Sequence, residues 1–83
     1  MKILPLDEEL VTYLKKHNLT IKFEKQLKLL EFNLRHPSLH TEILEPKERG
    51  IKSFRIDLKF RAIFIYDQER DELEVITINK HYQ

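Results

Sequence analysis

The chain has 83 residues, 41% of them apolar, with eight aromatic residues, one glycine and three prolines, which predicts one folded domain over residues 1–83. It has no cysteine, which excludes a disulfide framework and a thiolate metal site, and no apolar run approaches the ~18 residues of a membrane span. The net charge is +1, and the charged residues among the first ten argue against a secretory signal, so we expect a cytoplasmic protein.

The N-terminal half predicts two helices. In LDEELVTYLKKHN (6–18), Asp7 is a candidate N-cap, the leucines and valine form one stripe, and Asn18 suits the helix end. A second helix is predicted from about Thr20 to Arg35, where apolar residues recur at helical spacing until Pro37 ends it. The short turn between the two helices predicts an antiparallel helical hairpin.

After Pro37 the apolar pattern changes to the period of two that is typical of strands. Four strands are predicted, at 39–45, 51–57, 60–66 and 73–79. The segment KILPL could add a short strand, which Pro5 would confine to an edge or a strand end. The fold class is therefore α+β, with an N-terminal antiparallel helical hairpin packed on one face of an antiparallel β-sheet of about four strands.

The hairpin FRIDLKFRAIFIYD (54–67) contains two arginines among apolar residues. A loop at 58–60 pairs Asp57 with Arg61 and joins Phe54 and Ile56 to Ala62 and Phe64 as one apolar face, under the helices. Arg55 and Arg61 then lie on the open face, which avoids the cost of burying their charges under the helices. We therefore look for functional chemistry on the open face of the sheet.

Charge is unevenly distributed along the chain. Basic residues are concentrated at 15–36 and 49–61, whereas acidic residues gather at 7–9, 42–48 and 67–74. This asymmetry permits contact with a polyanion through one face, and an ordinary solvated mixed-charge surface explains it as well.

Three segments carry a resemblance to a known family: HPSL at 36–39, GIKSFRIDLKFRAIFIY at 50–66 and the terminal KHYQ at 80–83. With the intervening strands, they resemble the RelE/ParE toxins of toxin–antitoxin pairs. The similarity is closest to the YoeB-like branch, whose hairpin carries a similar R-x-x-x-x-x-R spacing and whose chain ends in His-Tyr.

The resemblance implies the toxin of a type II toxin–antitoxin system, acting as a ribosome-dependent messenger RNA endoribonuclease (an mRNA interferase) without a metal or cofactor. The ribose 2′-hydroxyl attacks the adjacent phosphate, so the site needs a base, a cation and an acid. The implied partners are a cognate antitoxin protein, the ribosome and mRNA, with no membrane and with DNA contacted only through the antitoxin complex.

The resemblance also implies roles for individual residues. Arg61 occupies the position of the phosphate-binding arginine, and Arg55 is a second cation on the same hairpin. His81 corresponds to the terminal histidine, a candidate acid, and Tyr82 to the tyrosine that stacks on or orients a base. The alternatives are structural: Arg61 pairs with Asp57 on the sheet surface, and the other residues are solvated surface groups.

The general base is assigned less uniquely. Glu45, in the dipeptide Glu-Pro after the first predicted sheet strand, is the best local match, and Glu48 is an equally defensible alternative. Lys47, Arg49 and Lys52 are candidate contacts to the RNA backbone. No metal site is expected, because the nearest histidines, at 36 and 40, flank Pro37 and do not share a helical turn.

Two other functions are compatible with the same family resemblance. The ParE branch inhibits DNA gyrase with the same fold and without the nuclease residues, and a non-toxic binding protein could also carry the fold. The terminal His-Tyr pair favours the nuclease.

Phe32 lies about 180° from Phe23 on the second predicted helix, opposite its buried stripe. It is a candidate anchor for an antitoxin segment, unless it is incidentally exposed or packs against the first helix.

Overall fold

The computed structural model describes residues 1–80 as two helices on one face of a five-stranded mixed sheet. In chain order the elements are β1 (Lys2–Ile3), α1 (Glu8–Lys16), α2 (Thr20–Phe32), β2 (Glu42–Ile43), β3 (Ile51–Arg55), β4 (Phe60–Asp67) and β5 (Glu72–Lys80). The strands lie in the order β1-β5-β4-β3-β2, and short 3₁₀ turns occupy Pro37–Leu39 and Lys47–Arg49.

The predicted α+β class and the helical layer on one sheet face are confirmed. The strand count differs by one, because β1 pairs in parallel with β5 at the edge of four antiparallel strands. None of the helices within residues 1–80 combines the length and apolar character that crossing a membrane requires.

Local contacts determine where the two helices begin and end. Asp7 occupies the N-cap of α1, although its side chain makes no capping hydrogen bond, and Asn18 adopts a left-handed conformation after the helix, with φ 57°. The second helix was predicted to reach Arg35 but ends at Phe32. Asn33 is extended there, and its side-chain oxygen accepts a hydrogen bond from the N–H of Arg35 at 3.0 Å, which favours a turn over another helical residue.

The strand β2 is much shorter than the predicted span of 39–45. Leu39 belongs to a 3₁₀ turn and is fully buried, and His40 has left-handed dihedrals, φ 44° and ψ 50°. Neither residue can therefore join the ladder, and only Glu42 and Ile43 pair with β3.

The sheet face under the helices forms the core. Phe54, Ala62 and Ile78 are paired neighbours on β3, β4 and β5, and all three are buried. From α2, the ring of Phe23 lies 6.0 Å from that of Phe54, centroid to centroid. The helices therefore cover the face that contains Phe54 and Ala62.

The register of the β3–β4 hairpin differs from the prediction. Asp57 was expected opposite Arg61, but Arg55 occupies that place. The reason is that Asp57 belongs to the turn, where its Oδ1 accepts hydrogen bonds from the N–H groups of Lys59 and Phe60 at 2.8 and 2.9 Å. Because the shift amounts to two residues, each side chain stays on the face predicted for it.

Candidate functional site

Arg55, Arg61 and Asn79 form one row across β3, β4 and β5, next to the buried row of Phe54, Ala62 and Ile78. Because neighbouring rows point to opposite faces, both arginines lie on the face away from the helices. They are directly opposite each other, and like charges in that position destabilise a sheet. This pair is the first sign of an anion-binding face.

Arg61 is buried, with only 6% of its surface exposed. Its Nε donates to Ser53 Oγ at 2.9 Å, and its Nη2 donates to the carbonyl oxygens of Ser53, at 3.3 Å, and of His40. Its Nη1 lies 3.7 Å from Oε1 of Glu42, whose side chain is half exposed. The guanidinium is therefore held across β3 toward β2, with Nη1 facing a carboxylate that solvent can reach.

Burial and two neighbouring charges act on the Arg61 guanidinium. Burial lowers the pKa of the Arg61 guanidinium, Glu42 acts to raise it, and the neighbouring Arg55 lowers it further. The group stays cationic, because an arginine does not lose its proton in a protein. Within residues 1–80 the Arg55 side chain makes no hydrogen bond or ion pair, so Glu42 supplies the carboxylate that faces this arginine pair.

A cavity of about 400 Å³ opens beside Arg61 on this face. It is lined by Glu42, Leu44, Ser53, Arg61, Ile63, Asn79 and Lys80. Its polar groups are two cations, a carboxylate, a hydroxyl and an amide, which can together receive one phosphate and its sugar.

The remaining sequence-predicted residues are distributed differently. Glu45 is exposed in the connection after β2, and Lys47, Glu48 and Arg49 are exposed in and around the next 3₁₀ turn; none of these four lines the cavity beside Arg61. Lys52 lies on the opposite, helix-side face, because it pairs with Phe64. The structure thus brings Arg55 and Arg61 together and places Lys52 apart from them.

His81 and Tyr82, the candidate acid and base-stacking residues, lie outside the described residues. Within the described 80 residues, no three histidine, aspartate or glutamate side chains are grouped closely enough to hold a metal ion.

Sequence reasoning missed two residues that position the arginines. Glu42 contacts Arg61 because β2 pairs Glu42 with Ser53. The predicted strand at 39–45 was too long to indicate this pairing. Gln26, buried on α2, donates through Nε2 to the carbonyl oxygens of Arg55, at 2.7 Å, and of Ser38, at 3.0 Å. The available signal for Gln26 was a polar residue beside the apolar stripe of a helix.

Comparison with known proteins identifies the fold. No protein-family model matches the chain, and no curated protein sequence matches it significantly. The structure is similar to that of a YoeB/ParE toxin from Agrobacterium tumefaciens, with a TM-score of 0.76 and 19% identity over 99% of this chain and all of the other.

Two structures from Staphylococcus aureus are also similar, each at 21% identity over 98% of this chain and 94% of the other. One is a heterotetrameric YoeB–YefM toxin–antitoxin complex, with a TM-score of 0.70, and the other is a YoeB dimer, with a TM-score of 0.67. The likeness spans nearly the whole of each chain, so the fold of this protein is that of the YoeB/ParE toxin structures.

Proposed function

We propose that this protein is the toxin of a type II toxin–antitoxin system and that it acts as a ribosome-dependent endoribonuclease on messenger RNA. The fold it shares with YoeB/ParE toxins supports the first part. The observation that carries the second part is the pair of arginines on the open sheet face, where Arg61 is fixed by Ser53 and His40 beside a cavity.

The chemistry follows from what RNA cleavage requires. A base removes the proton of the ribose 2′-hydroxyl, whose oxygen attacks the adjacent phosphorus; the bond to the 5′-oxygen breaks, and an acid returns a proton to that oxygen. Arg61 stabilises the charge on the phosphate oxygens, with Arg55 as a second cation. His81 is the proposed acid, Tyr82 the proposed stacking residue and Glu45 the proposed base.

Glu48 remains the alternative base, and Lys47 and Arg49 are proposed to contact flanking phosphates. Because Arg61 already contacts Glu42, we propose that the scissile phosphate replaces this carboxylate at Nη1. Glu42 is half exposed, so its carboxylate can move into solvent while the incoming phosphate becomes the counter-charge of the buried guanidinium.

We propose a cognate antitoxin as the partner, by analogy with the YoeB–YefM complexes. The antitoxin would cover the arginine face, part of the helical surface, or both, and link this protein to DNA.

A second candidate function is inhibition of DNA gyrase. The observation that favours it is the engagement of Arg61 by His40, Ser53 and Glu42, which is also what a purely structural arginine would show. Under this alternative the arginine pair has no catalytic role and the fold serves a protein interface.

The test compares the two targets. Purified protein is added to a translating extract, and messenger RNA cleavage is mapped for the parent chain, Arg55→Gln, Arg61→Lys and the control Arg70→Gln. Arg61→Lys keeps the positive charge but removes the planar guanidinium that can bind two phosphate oxygens at once. We expect it to lower the cleavage rate about a hundredfold or more. Arg70→Gln, in the turn after β4, should cleave at the parent rate.

Circular dichroism of each variant separates loss of chemistry from loss of fold. In parallel, expression in cells is followed by translation and DNA supercoiling. Loss of supercoiling with intact messenger RNA would assign the protein to gyrase inhibition, and harmless expression of the parent chain would assign it a non-toxic binding role.

A further inference from the structure

A second cavity, of about 480 Å³, opens on the helix-side face of the sheet, away from Arg61. Its floor contains Ile43, Lys52 and Phe64, which pair across β2, β3 and β4. Its wall is the chain that turns after α2, at 34–37, together with 40–41. The cavity exists because α2 ends at Phe32 and leaves this part of the sheet uncovered, and its volume is within the usual range for small-molecule sites, about 300–1,000 Å³.

The lining of this cavity is basic. Arg35, His36, His40 and Lys52 contribute to it, and its lining residues include no carboxylate. Within residues 1–80, the side chains of Arg35 and Lys52 form no hydrogen bond or ion pair. Lys52 is half-buried on the sheet face that elsewhere packs under the helices, and within residues 1–80 its ammonium has no counter-charge at ion-pair distance; Asp67 and Glu69 line an adjoining cavity with it. An anion seated here would supply that charge.

The histidine orientation supports the same ligand. Nδ1 of His36 accepts a hydrogen bond from the N–H of Ser38 at 3.1 Å, so its other ring nitrogen carries the proton and acts as a donor.

The cavity also has an aromatic wall. Tyr66 lines it, and its hydroxyl donates to the carboxylate of Asp71 in the turn before β5. The polar end of this side chain is thereby occupied, while the ring remains as a flat apolar surface. Planar bases stack on such rings in single-strand binding proteins.

We propose that this cavity binds a nucleotide, with the base stacked on Tyr66 and the phosphate held by Arg35 and Lys52. An acidic peptide would satisfy the cations but would leave the ring surface without a partner, so the combination favours a base joined to a phosphate. The site goes beyond the proposed nuclease, because it lies on the other face of the sheet and its test measures binding.

The test is an NMR titration of the full chain with adenosine monophosphate, adenosine, inorganic phosphate and an acetylated tetraglutamate peptide. We expect adenosine monophosphate to shift the amides of residues 34–41, Lys52 and Tyr66. Adenosine and phosphate should each bind at least tenfold more weakly, because each keeps only one of the two interactions.

Variants locate the site. Lys52→Gln should weaken adenosine monophosphate about tenfold, the loss expected for one charge-assisted contact. Arg35→Gln, which lies outside the strands, tests the same contact without risk to the sheet. Lys25→Gln removes the same kind of charge from the exposed face of α2, away from the cavity, and should bind adenosine monophosphate like the parent.

Three results would overturn the proposal. The first is a set of shifts confined to the Arg55 and Arg61 face. The second is equal weakening by Lys25→Gln and Lys52→Gln, which would indicate nonspecific attraction. The third is tighter binding of the tetraglutamate peptide than of adenosine monophosphate at the same residues, which would make the cavity a protein-binding site.

Discussion

At the scale of single residues, Arg61 combines burial with preorganisation. Its Nε and Nη2 are fixed by Ser53 and His40, which leaves Nη1 and the Glu42 carboxylate as the exchangeable part of the contact. A guanidinium held in this way loses little conformational entropy when it binds a phosphate, because the protein has already ordered it.

Glu42→Gln should tighten the binding of a short single-stranded 2′-O-methyl RNA, which resists cleavage. The competing contact is worth about 0.5–1 kcal/mol, so we expect a roughly two- to fivefold gain in affinity, measured by fluorescence anisotropy. The free energy of unfolding should fall by less than about 1 kcal/mol. Glu31→Gln removes the same charge from α2 and should change neither quantity; weaker RNA binding by Glu42→Gln would contradict the exchange at Nη1.

At the scale of elements, side chains of single polar residues join the helical layer to the sheet. Gln26 connects α2 to the end of β3 and to the 3₁₀ turn at Pro37–Leu39 through two carbonyl groups. Lys22 connects the same helix to Asp57 in the β3–β4 turn, 3.4 Å away. These contacts determine where Arg55 sits relative to the helices.

Gln26→Met should destabilise the domain by about 1–3 kcal/mol, because the carbonyls of Ser38 and Arg55 lose their donor in a partly buried setting. The measurement is urea unfolding, with Glu24→Met as the control on the exposed side of the same helix. Equal stability of the two variants would show that water replaces the amide without cost.

The β3–β4 turn should make stability depend on acid pH. Burial acts to raise the pKa of Asp57, but hydrogen bonds from the N–H groups of Lys59 and Phe60, together with Lys22, lower it below the usual 3.8. A lowered folded-state pKa stabilises the fold fully above pH 3.8, and this contribution disappears as the pH falls through the folded-state value.

Asp57→Asn keeps the acceptor oxygen and removes the charge. It should therefore be less stable than the parent at neutral pH, and the difference should shrink as the pH is lowered below 3.8, as measured by urea unfolding. A difference that stays constant with pH would contradict the role assigned to the carboxylate charge.

The outer face of α2 is the candidate antitoxin surface. Phe32 is 86% exposed and Ile21 82% exposed, and they lie on one helix face because eleven residues span about three turns. Lys25 and Lys28 lie between them on the same face. This arrangement matches a partner helix or extended segment with apolar anchors and acidic residues between them.

Phe32→Ala should weaken the complex with the proposed antitoxin while the free energy of unfolding changes by less than about 0.5 kcal/mol, as for exposed positions generally. Leu58→Ala, at a residue 79% exposed in the β3–β4 turn, is the matched control. Calorimetric titration of the antitoxin into each variant measures the effect, and identical affinities for Phe32→Ala and the parent would remove the helix from the interface.

At the scale of the whole molecule, the near-zero net charge limits nonspecific attraction to RNA, so binding depends on the local cations. Four of them, Arg55, Arg61, Lys47 and Arg49, are proposed phosphate contacts. At about 0.7 per contact for a single strand, a plot of log affinity against log salt concentration should have a slope of roughly −3. A slope near zero, measured with the 2′-O-methyl RNA, would contradict binding through these cations.

Much of the fold could be predicted from the sequence because its determinants are local. The alternation of side chains along a strand placed Phe54 and Ala62 under the helices and the arginines on the other face. This assignment is correct despite the error in register, because a shift of two residues leaves each side chain on the same face. The helix end at Asn33 and the turn at Asp57 were missed, since each depends on a side-chain hydrogen bond that competes with a regular element.

The candidate site was less predictable, because its contacts come from distant parts of the chain. Arg61 contacts the carbonyl of His40, 21 positions earlier in the chain. This contact depends on how β2 and the turn before it pack beside β3. No short-range pattern encodes that contact. The roles of His81, Tyr82, Glu45 and Glu48 rest on the family resemblance and stay predictions.

The left-handed residue His40 has a consequence for communication between the two sheet faces. Its carbonyl oxygen receives Nη2 of Arg61, while the same residue lines the helix-side cavity. The two sites therefore share His40: a ligand in that cavity lies against this residue, and an anion on Arg61 acts on it through the guanidinium. Linkage is reciprocal: if the first ligand changes the affinity of the second by some factor, the second changes the affinity of the first by the same factor. Titrating one ligand with and without the other measures this factor, whichever ligand is titrated.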